Sequence, residues 1–431
     1  MIEILIIFDP SFYYKNIGET VLYQLQSFLN SNQILETFQS GFKPLHSTES
    51  ALLRVSNDIL LATDAGDSVI LILLDLTSAF DTVDHKTLLS RLEFYVGFQG
   101  TVLSWFRSYL TNRSFSVKLG NFFSSPTQLS CGVPQGSILA PILFSLYLLP
   151  LGSIFRKHGV SFHCYADDTQ IYLPLKRNKD SALKSLFACL EEVKMWFSQN
   201  FLFLNESKTE VIVFGPHDNF NCSNIDLDYL SPTSSCTKHL GVLWDHNLKF
   251  EKQINAVISS CFFQLRLLSK VKSSLSENTL EIAVHALITS RLDYCNSLYY
   301  GTAKNSIARL QLVQNAAAKF LKRKRKFDHV SPILKSLHWL PVHFRIEFKI
   351  LLFVFKSVSN LAPSYLSELL CPHNPTRNRR SGDQRLLAVP RSRLKKRGDR
   401  AFAIAGPYIR TAQSRTIFKS SLKTYFFFFS F

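Results

Sequence analysis

Two adjacent acids, Asp167 and Asp168, follow a run of mostly apolar and aromatic residues within the stretch 162–173. β-prone runs precede and follow the pair, a pattern that predicts a β-hairpin with both acids at its turn. Two carboxylates at one turn repel each other, because like charges a few Å apart disfavour joint ionisation. Such a pair suits a divalent cation, above all magnesium, which binds one or two carboxylates and keeps water and phosphate as its other ligands. The alternative is an ordinary turn whose acids are solvated.

A third acid, Asp75, follows the continuous apolar run Ser68–Leu74, which is typical of a strand buried on both faces. An acid that a buried strand presents at its end is a candidate site residue. Asp81 and Asp84 come slightly later, and we predict that they cap or begin the next helix. If Asp75 and the hairpin acids meet in one sheet, the three could hold two divalent ions and stabilise an in-line phosphoryl displacement.

Two further segments are candidates for contacts with a ligand. A loop with two glycines and a proline, residues 132–137, precedes an apolar helix predicted over 138–149. Glycine lets the backbone approach a ligand, and a helix N-terminus offers N–H groups to phosphate, although such loops are also common without a ligand. Lys43 and Arg54 lie near a polar turn at 39–49, either as solvated charges or as phosphate contacts.

The elements that must position these residues alternate between strand and helix patterns. The whole apolar stretch 138–154 is interpreted as buried helix, and 216–236 as a loop-rich insertion. Ser47 or Thr48 is expected to cap the second helix. The other predicted helices and strands follow from 3.6-residue and two-residue periodicity: helices over 19–29, 49–61, 86–95, 101–110, 181–200, 249–272, 277–300 and 304–324, strands over 114–119, 127–131 and 237–245, and a turn followed by a strand within 201–215.

The charge balance points to a polyanionic partner. The 431 residues include 49 Lys and Arg against 32 Asp and Glu, a formal net charge of +17. From Cys371 onward there are fourteen Lys or Arg and two acids, and beyond 374 the composition predicts partial disorder. The eight cysteines form no C-x-x-C pair, and neither a secretory signal nor a membrane span is recognisable. We therefore expect an intracellular protein, in the cytoplasm or the nucleus or both, with no membrane partner.

Six sequence blocks carry a resemblance to a known family. They are GFKPLHSTESAL, LLDLTSAFDTVDH, CGVPQGSILAPILFSLYL, CYADDTQIY, LNESKTEVIVFG and HLGVLWD. In this order they resemble the reverse transcriptases of non-LTR (LINE-type) retrotransposons, over about residues 21–405. The resemblance implies an α+β, right-hand polymerase fold with fingers and palm over 1–245, a thumb-like helical region over 246–330, and a basic, mostly helical and partly disordered C-terminal region over 331–431.

The resemblance also implies the chemistry. Asp75, Asp167 and Asp168 would bind two magnesium ions, with manganese as the alternative ion. Lys208 would approach the triphosphate and act as a general acid toward the pyrophosphate leaving group. The reaction would be RNA-directed DNA synthesis, with an RNA template, a DNA primer and deoxynucleoside triphosphates as partners.

Four residues would bind the nucleotide if the resemblance holds. Phe80 would be the steric gate at the place of a ribose 2′-hydroxyl. Gln135 and Gly136 would line the nucleotide and template side of the site. Lys43 stands where the family usually has arginine, so it would be a weaker, non-bidentate phosphate contact.

Departures from the family pattern leave two alternatives open. The opening block of the fingers is not recognisable, Ala140 replaces a common glycine, and a segment between Tyr408 and Phe418 is expected to be missing. The chain also looks like a truncated copy without an upstream endonuclease domain, so that a separate endonuclease would supply the nick. One alternative is therefore a relic that binds RNA or DNA without extending a primer. The other is an unrelated metal-dependent phosphoryl-transfer enzyme that acts on small nucleotides.

Overall fold

The structure is a computed structural model that describes residues 4–8, 13–111, 113–133, 136–175, 179–215, 236–373 and 387–412. The chain folds as two compact units. Unit 1 comprises Met1–Pro44, Leu71–Leu173 and Asn178–Glu210, and unit 2 comprises Leu45–Ile70, Pro174–Arg177 and Val211–Phe431. Within the described ranges, none of the helices combines the length and apolar character that crossing a membrane requires.

Strands and helices are mixed along the chain as far as Asp245, and helices predominate after it. The strands are β1 (Ile4–Phe8), β2 (Ser68–Leu74), β3 (Leu76–Thr77), β4 (Ser114–Leu119), β5 (Phe122–Phe123), β6 (Thr127–Gln128), β7 (Ser161–Tyr165), β8 (Asp168–Leu175), β9 (Phe203–Leu204), β10 (Glu210–Phe214), β11 (Cys236–His239) and β12 (Val242–Asp245). The helices are α1 (Tyr13–Ser31), α2 (Thr48–Ala65), α3 (His85–Phe94), α4 (Gly100–Leu110), α5 (Ala140–Tyr147), α6 (Leu151–Lys157), α7 (Lys179–Gln199), α8 (Glu251–Val271), α9 (Glu277–Val284), α10 (Ser290–Asp293), α11 (Lys304–Leu321), α12 (Ser331–Ser336), α13 (Val342–Val358), α14 (Ser364–Ser367) and α15 (Phe402–Ala412).

The central sheet of unit 1 contains β2, β8 and β7 side by side in that order. The predicted hairpin is confirmed, since β7 pairs antiparallel with β8 and Tyr165 faces Asp168 across a two-residue turn. The predicted strand Ser68–Leu74 is also confirmed, and nearly all of its side chains are buried. The side chains of α5 are almost entirely buried too, which explains the uninterrupted apolar sequence of that helix.

Helix caps follow the residues that the sequence marks for them. Ser47 caps α2 in a reciprocal capping box with Ser50, and Asp84 caps α3 by accepting a hydrogen bond from the Thr87 N–H at 2.7 Å. The predicted caps at Ser47 and Asp84 are confirmed, whereas the prediction that Asp81 caps or begins α3 is wrong. Asp81 lies in the turn that precedes α3.

Two elements, each predicted to be continuous, are divided into two in the structure. The apolar stretch 138–154 forms two helices, α5 and α6, because Pro150 starts the second helix and has no N–H with which to continue the first. The predicted single strand 237–245 is a hairpin of β11 and β12, which turns at Leu240 and Gly241 with φ of +43° and +81°.

Another predicted strand is shorter than expected, because the strand predicted over 127–131 is only two residues long in β6. The predicted insertion 216–236 lies outside the described residues except for Cys236.

Unit 2 is mostly helical, as predicted for 249–324. The helix predicted over 277–300 is interrupted by a π-helical segment, His285–Thr289, and ends at Asp293. Cys295 follows in a left-handed conformation with φ of +50°, so the predicted helix does not continue to residue 300. Farther along, the described part of the basic tail, 387–412, is folded. Arg397 and Arg400 are buried there, and their guanidinium groups donate hydrogen bonds to the backbone carbonyls of Asn247, Leu248 and Tyr300. Part of the basic tail is therefore structural.

The buried Asp64 carboxylate anchors this tail, since it accepts hydrogen bonds from the backbone N–H groups of Arg393 and Leu394. We expect Asp64→Ala to lower the free energy of unfolding of unit 2 by about 2 kcal/mol, because two backbone donors lose their charged acceptor. Urea denaturation monitored by circular dichroism measures this change. The control is Asp67→Ala, and equal stability of the two variants would contradict the anchoring role.

Candidate active site

Asp75, Asp167 and Asp168 meet at one end of the central sheet. Asp75 directly follows β2, Asp167 lies in the hairpin turn, and Asp168 is the first residue of the neighbouring strand β8. The three carboxylates are close enough for the charge of Asp75 to act on both hairpin acids. The predicted juxtaposition of a strand end and a hairpin turn is therefore present in unit 1.

The hairpin carboxylates resist ionisation. Burial raises the pKa of Asp168 to about 6, and the charges of Asp167 and Asp75 add to this effect. Burial also raises the pKa of Asp167, with a further contribution from the charge of Asp75. A cation placed among the three acids would reverse this effect, because it favours the ionised form of each group.

Lys208 supplies one positive charge to this cluster. The short pairing of β3 with β9 and a hydrogen bond from the Asn205 N–H to the Asp75 carbonyl (2.8 Å) hold the chain around Lys208 next to Asp75. The Lys208 Nζ atom lies 3.5 Å from Asp75 Oδ2. This lysine remains largely exposed, with a side-chain exposure of 68%, so its ammonium group is accessible to a bound ligand.

The donor set has the chemistry that a divalent cation needs. Carboxylate oxygens are hard ligands, and the buried Asp75 Oδ2 atom accepts no hydrogen bond from the described residues, with the Lys208 ammonium at 3.5 Å as an ion-pair partner only. Over the described ranges, no three Asp, Glu, His or Cys side chains are arranged so that they could share a single ion. The arrangement therefore fits ions held by one or two carboxylates each and completed by ligand oxygens, rather than a cage made only of protein atoms.

Phe80 lies beside this cluster in sequence and is held by aromatic contacts. Its ring stacks on Phe144 with 4.4 Å between centroids and meets Phe42 edge-on at 6.4 Å. The loop at 132–133 is attached to the same segment, because the Val133 N–H donates to the Phe80 carbonyl at 2.9 Å. Gly132 is required there: its φ is +86°, and a Cβ atom would lie 2.9 Å from the Asp81 carbonyl oxygen.

Two predicted nucleotide-binding residues follow in this loop. Gly136 adopts a left-handed conformation with φ of +81°, and nothing lies within 4 Å of where its Cβ atom would be. Gln135 lies outside the described residues. Helix α5 begins only at Ala140, where the Ser137 hydroxyl accepts a hydrogen bond from the Ala140 N–H at 3.1 Å. The helix therefore starts two residues later than predicted.

The Lys43 ammonium group has a hydrogen-bond partner within the protein. Its ammonium group donates a hydrogen bond to the Glu36 backbone carbonyl at 3.0 Å, and burial lowers the pKa of this lysine. Its role as a phosphate contact stays a prediction.

Sequence reasoning missed Gln39, whose buried amide binds the backbone of the hairpin turn at Ala166. The only local signal is the neighbouring Gly41 in a polar turn, and this signal does not identify a partner far away in the chain.

The comparisons with known proteins agree with this geometry. The family described as Reverse transcriptase (RNA-dependent DNA polymerase) matches residues 6–250, which is more than half of the chain and includes all three acids. The chain belongs to the reverse transcriptase family. The mixed helix and strand content predicted for such a domain is confirmed.

Relatives of this reverse transcriptase come from transposable elements. It is 27% identical over 318 residues to a probable RNA-directed DNA polymerase from transposon BS of Drosophila melanogaster, which covers 68% of this chain and 33% of the relative. It is 25% identical to the RNA-directed DNA polymerase from mobile element jockey of the same species, covering 72% and 34%. The predicted resemblance to reverse transcriptases of non-LTR retrotransposons is thus confirmed, although the chain spans only about a third of the length of these relatives.

Among solved structures, telomerase from Candida albicans in complex with a fragment of telomeric RNA aligns with 77% of this chain and 56% of its own. The identity is 14% and the TM-score is 0.37, which is too low to bear on the fold of the reverse transcriptase.

The raised pKa of Asp168 predicts how stability depends on pH. The folded reverse transcriptase binds this proton more tightly than the unfolded chain does, so the contribution to stability is present below about pH 4 and is lost as the pH rises through about 6. We expect Asp168→Asn to stabilise the protein at pH 7.5 by about 1 kcal/mol. This value is reduced from the full pKa shift because the side chain is only partly buried, and solvent that reaches its outer part screens the charge.

Urea denaturation of both proteins between pH 4 and pH 8 measures the effect. The gain should shrink toward pH 4, where the wild-type carboxyl is neutral. A gain that does not depend on pH would contradict the assignment of the shift to Asp168.

Proposed function

We propose that this chain catalyses RNA-templated DNA synthesis. The observation that carries the proposal is the meeting of Asp75, Asp167 and Asp168 at one end of the sheet, with the Lys208 ammonium 3.5 Å from Asp75. The substrates would be an RNA template, a DNA primer and deoxynucleoside triphosphates. Membership of the reverse transcriptase family supports this choice over an unrelated phosphoryl-transfer enzyme.

Asp75, Asp167 and Asp168 would hold two magnesium ions, with manganese as the alternative. Bound there, such ions supply positive charge to the attacking and leaving oxygens of an in-line displacement. The primer 3′-hydroxyl would release its proton to solvent, and its oxygen would form a bond to the α-phosphorus while the bond between that phosphorus and pyrophosphate breaks. Lys208 would donate its proton to the departing pyrophosphate, and its exposed ammonium group is free to turn from Asp75 toward that oxygen.

The nucleotide would be selected next to these acids. Phe80 would exclude a 2′-hydroxyl, and its stacking on Phe144 supports a rigid gate. Gln135 and Gly136 would line the nucleotide and template side. Lys43 would contact phosphate only after leaving the Glu36 carbonyl, to which it donates in this structure.

The larger organisation belongs to the same proposal. Fingers and palm would occupy 1–245, a thumb-like region 246–330 and a basic region 331–431, in the manner of a right-handed polymerase. The helices of 251–321 support the assignment of a thumb, and the buried arginines near 400 show that part of the basic region serves the fold. Function would be intracellular, in the cytoplasm or nucleus, with a separate endonuclease providing the nick.

Primer extension on an RNA template with magnesium tests the proposal. We expect the wild-type chain to extend the primer and the double variant Asp167→Ala, Asp168→Ala to lose at least about 10³-fold in rate, since it cannot hold the ions. Duplex affinity, measured by fluorescence anisotropy, should stay within about twofold. The control is Asp180→Ala, at an exposed acid in the first turn of α7.

Two outcomes would contradict the proposal. Duplex binding without extension by the wild-type chain would identify a relic that only binds RNA or DNA. Turnover of small nucleotides without a primer would identify the unrelated phosphoryl-transfer enzyme.

The role of Lys208 gives a separate prediction. We expect Lys208→Ala to lower the single-turnover extension rate by about 10²-fold and to remove the alkaline limb of the pH–rate profile, because the variant has no acid to protonate pyrophosphate. Lys184→Ala, which removes an exposed lysine of α7, is the matched control. A Lys208 variant that is slow but keeps the wild-type pH profile would show that this lysine is not the general acid.

A further inference from the structure

The segment 38–41 is attached to the strand that leads into the hairpin turn. The Cys164 N–H donates to the Phe38 carbonyl at 2.7 Å, and the Ser40 N–H donates to the Cys164 carbonyl at 2.9 Å. Ser40 Oγ and His163 Nε2 share a further hydrogen bond of 2.8 Å inside the protein. These contacts form a short parallel bridge to β7 that ends two residues before the turn.

The Gln39 side chain extends this bridge to the turn. Its Oε1 atom accepts hydrogen bonds from the N–H groups of Ala166 and Gly41, both at 2.8 Å, and its Nε2 atom donates to the Ala166 carbonyl at 3.1 Å. One buried amide, only 4% exposed, thus satisfies both backbone polar groups of the first turn residue. Ala166 needs this support because its φ of +58° is unfavourable for a residue with a Cβ atom.

Gly41 completes the contact by allowing a close approach. A Cβ atom at this position would lie 2.3 Å from the Ala166 nitrogen and 2.8 Å from its Cα atom, distances that the packed backbone cannot accommodate. The absence of a side chain at Gly41 is therefore what lets the Gln39 segment reach the turn.

We propose that Gln39 and Gly41 are positioning residues, which hold Ala166 in its left-handed conformation at the hairpin turn and so set where the carboxylates of Asp167 and Asp168 point. They touch neither substrate nor ion and act through the turn backbone. The inference rests on the proposed function for its catalytic consequence, while the structural contact itself is independent of that function.

Gln39→Met tests the proposal, because methionine keeps the volume of the side chain and removes all three hydrogen bonds. We expect hydrogen–deuterium exchange in a peptide that covers 162–169 to accelerate at least about tenfold. Mn²⁺ affinity, measured by electron paramagnetic resonance, should fall about tenfold, and the extension rate should fall at least tenfold with unchanged duplex affinity.

Gln170→Met is the matched control. Gln170 is also buried, on the neighbouring strand β8, but neither polar atom of its amide has a hydrogen-bond partner among the described residues. This variant should keep Mn²⁺ affinity, turn exchange and extension within about twofold of the wild type. Gln39→Glu keeps the acceptor for two N–H groups and loses the donor, so we expect it to fall between wild type and Gln39→Met.

A second pair of variants tests the same proposal independently, in case Gln39→Met does not fold. Gly41→Ala should reproduce the loss of Mn²⁺ affinity, whereas Gly18→Ala, with open space around its new methyl group, should not. All assays are run below the melting temperature of each variant.

The outcomes separate this proposal from the proposed function. If Gln39→Met matches Gln170→Met in turn exchange and Mn²⁺ affinity, the positioning role is overturned, whatever the extension rate. If the wild-type chain extends no primer, the proposed function fails, and the exchange and Mn²⁺ measurements still decide the role of Gln39.

Discussion

The repulsion among three carboxylates at one end of a sheet is the constraint on which the rest of unit 1 depends. Burial and the charges of its neighbours raise the pKa of Asp168 to about 6, so the joint ionisation of these carboxylates works against folding at neutral pH. A rigid scaffold is needed to keep the acids together. The buried strand β2 holds Asp75, and the hairpin of β7 and β8 holds the other two beside it. Unfavourable arrangements that the surrounding structure holds in place are common at functional sites.

The scaffold around the acids is built from backbone contacts between segments far apart in the chain. Asn205 fixes the carbonyl of Asp75, and the Gln39 amide fixes the turn at Ala166. Gly132 permits a close backbone approach on another side, as Gly41 does at the turn. Because backbone positions are less mobile than side chains, these contacts fix the positions of the three acids relative to one another.

The sequence predicts the parts of the site that depend on local pattern. Alternating β-prone residues around the acids at 167 and 168 predict the hairpin, and the apolar run before Asp75 predicts the buried strand. The contact between Gln39 and Ala166 spans 127 residues, so no periodicity or spacing reveals it. Composition likewise misleads in the basic tail, because a buried arginine such as Arg397 contributes to net charge as much as an exposed one. The sequence does contain a signal for the division of the helix predicted over 138–154, because a proline such as Pro150 rarely continues a helix.

Anomalous diffraction from crystals of the protein with an RNA–DNA duplex, an incoming nucleotide and Mn²⁺ tests the metal site most directly. If the three acids form the catalytic centre, we expect two manganese peaks about 3.5–4 Å apart. The ligands should be carboxylate oxygens of Asp75, Asp167 and Asp168, with Lys208 displaced from Asp75. Manganese bound elsewhere, with Lys208 still beside Asp75, would contradict the catalytic role of this cluster.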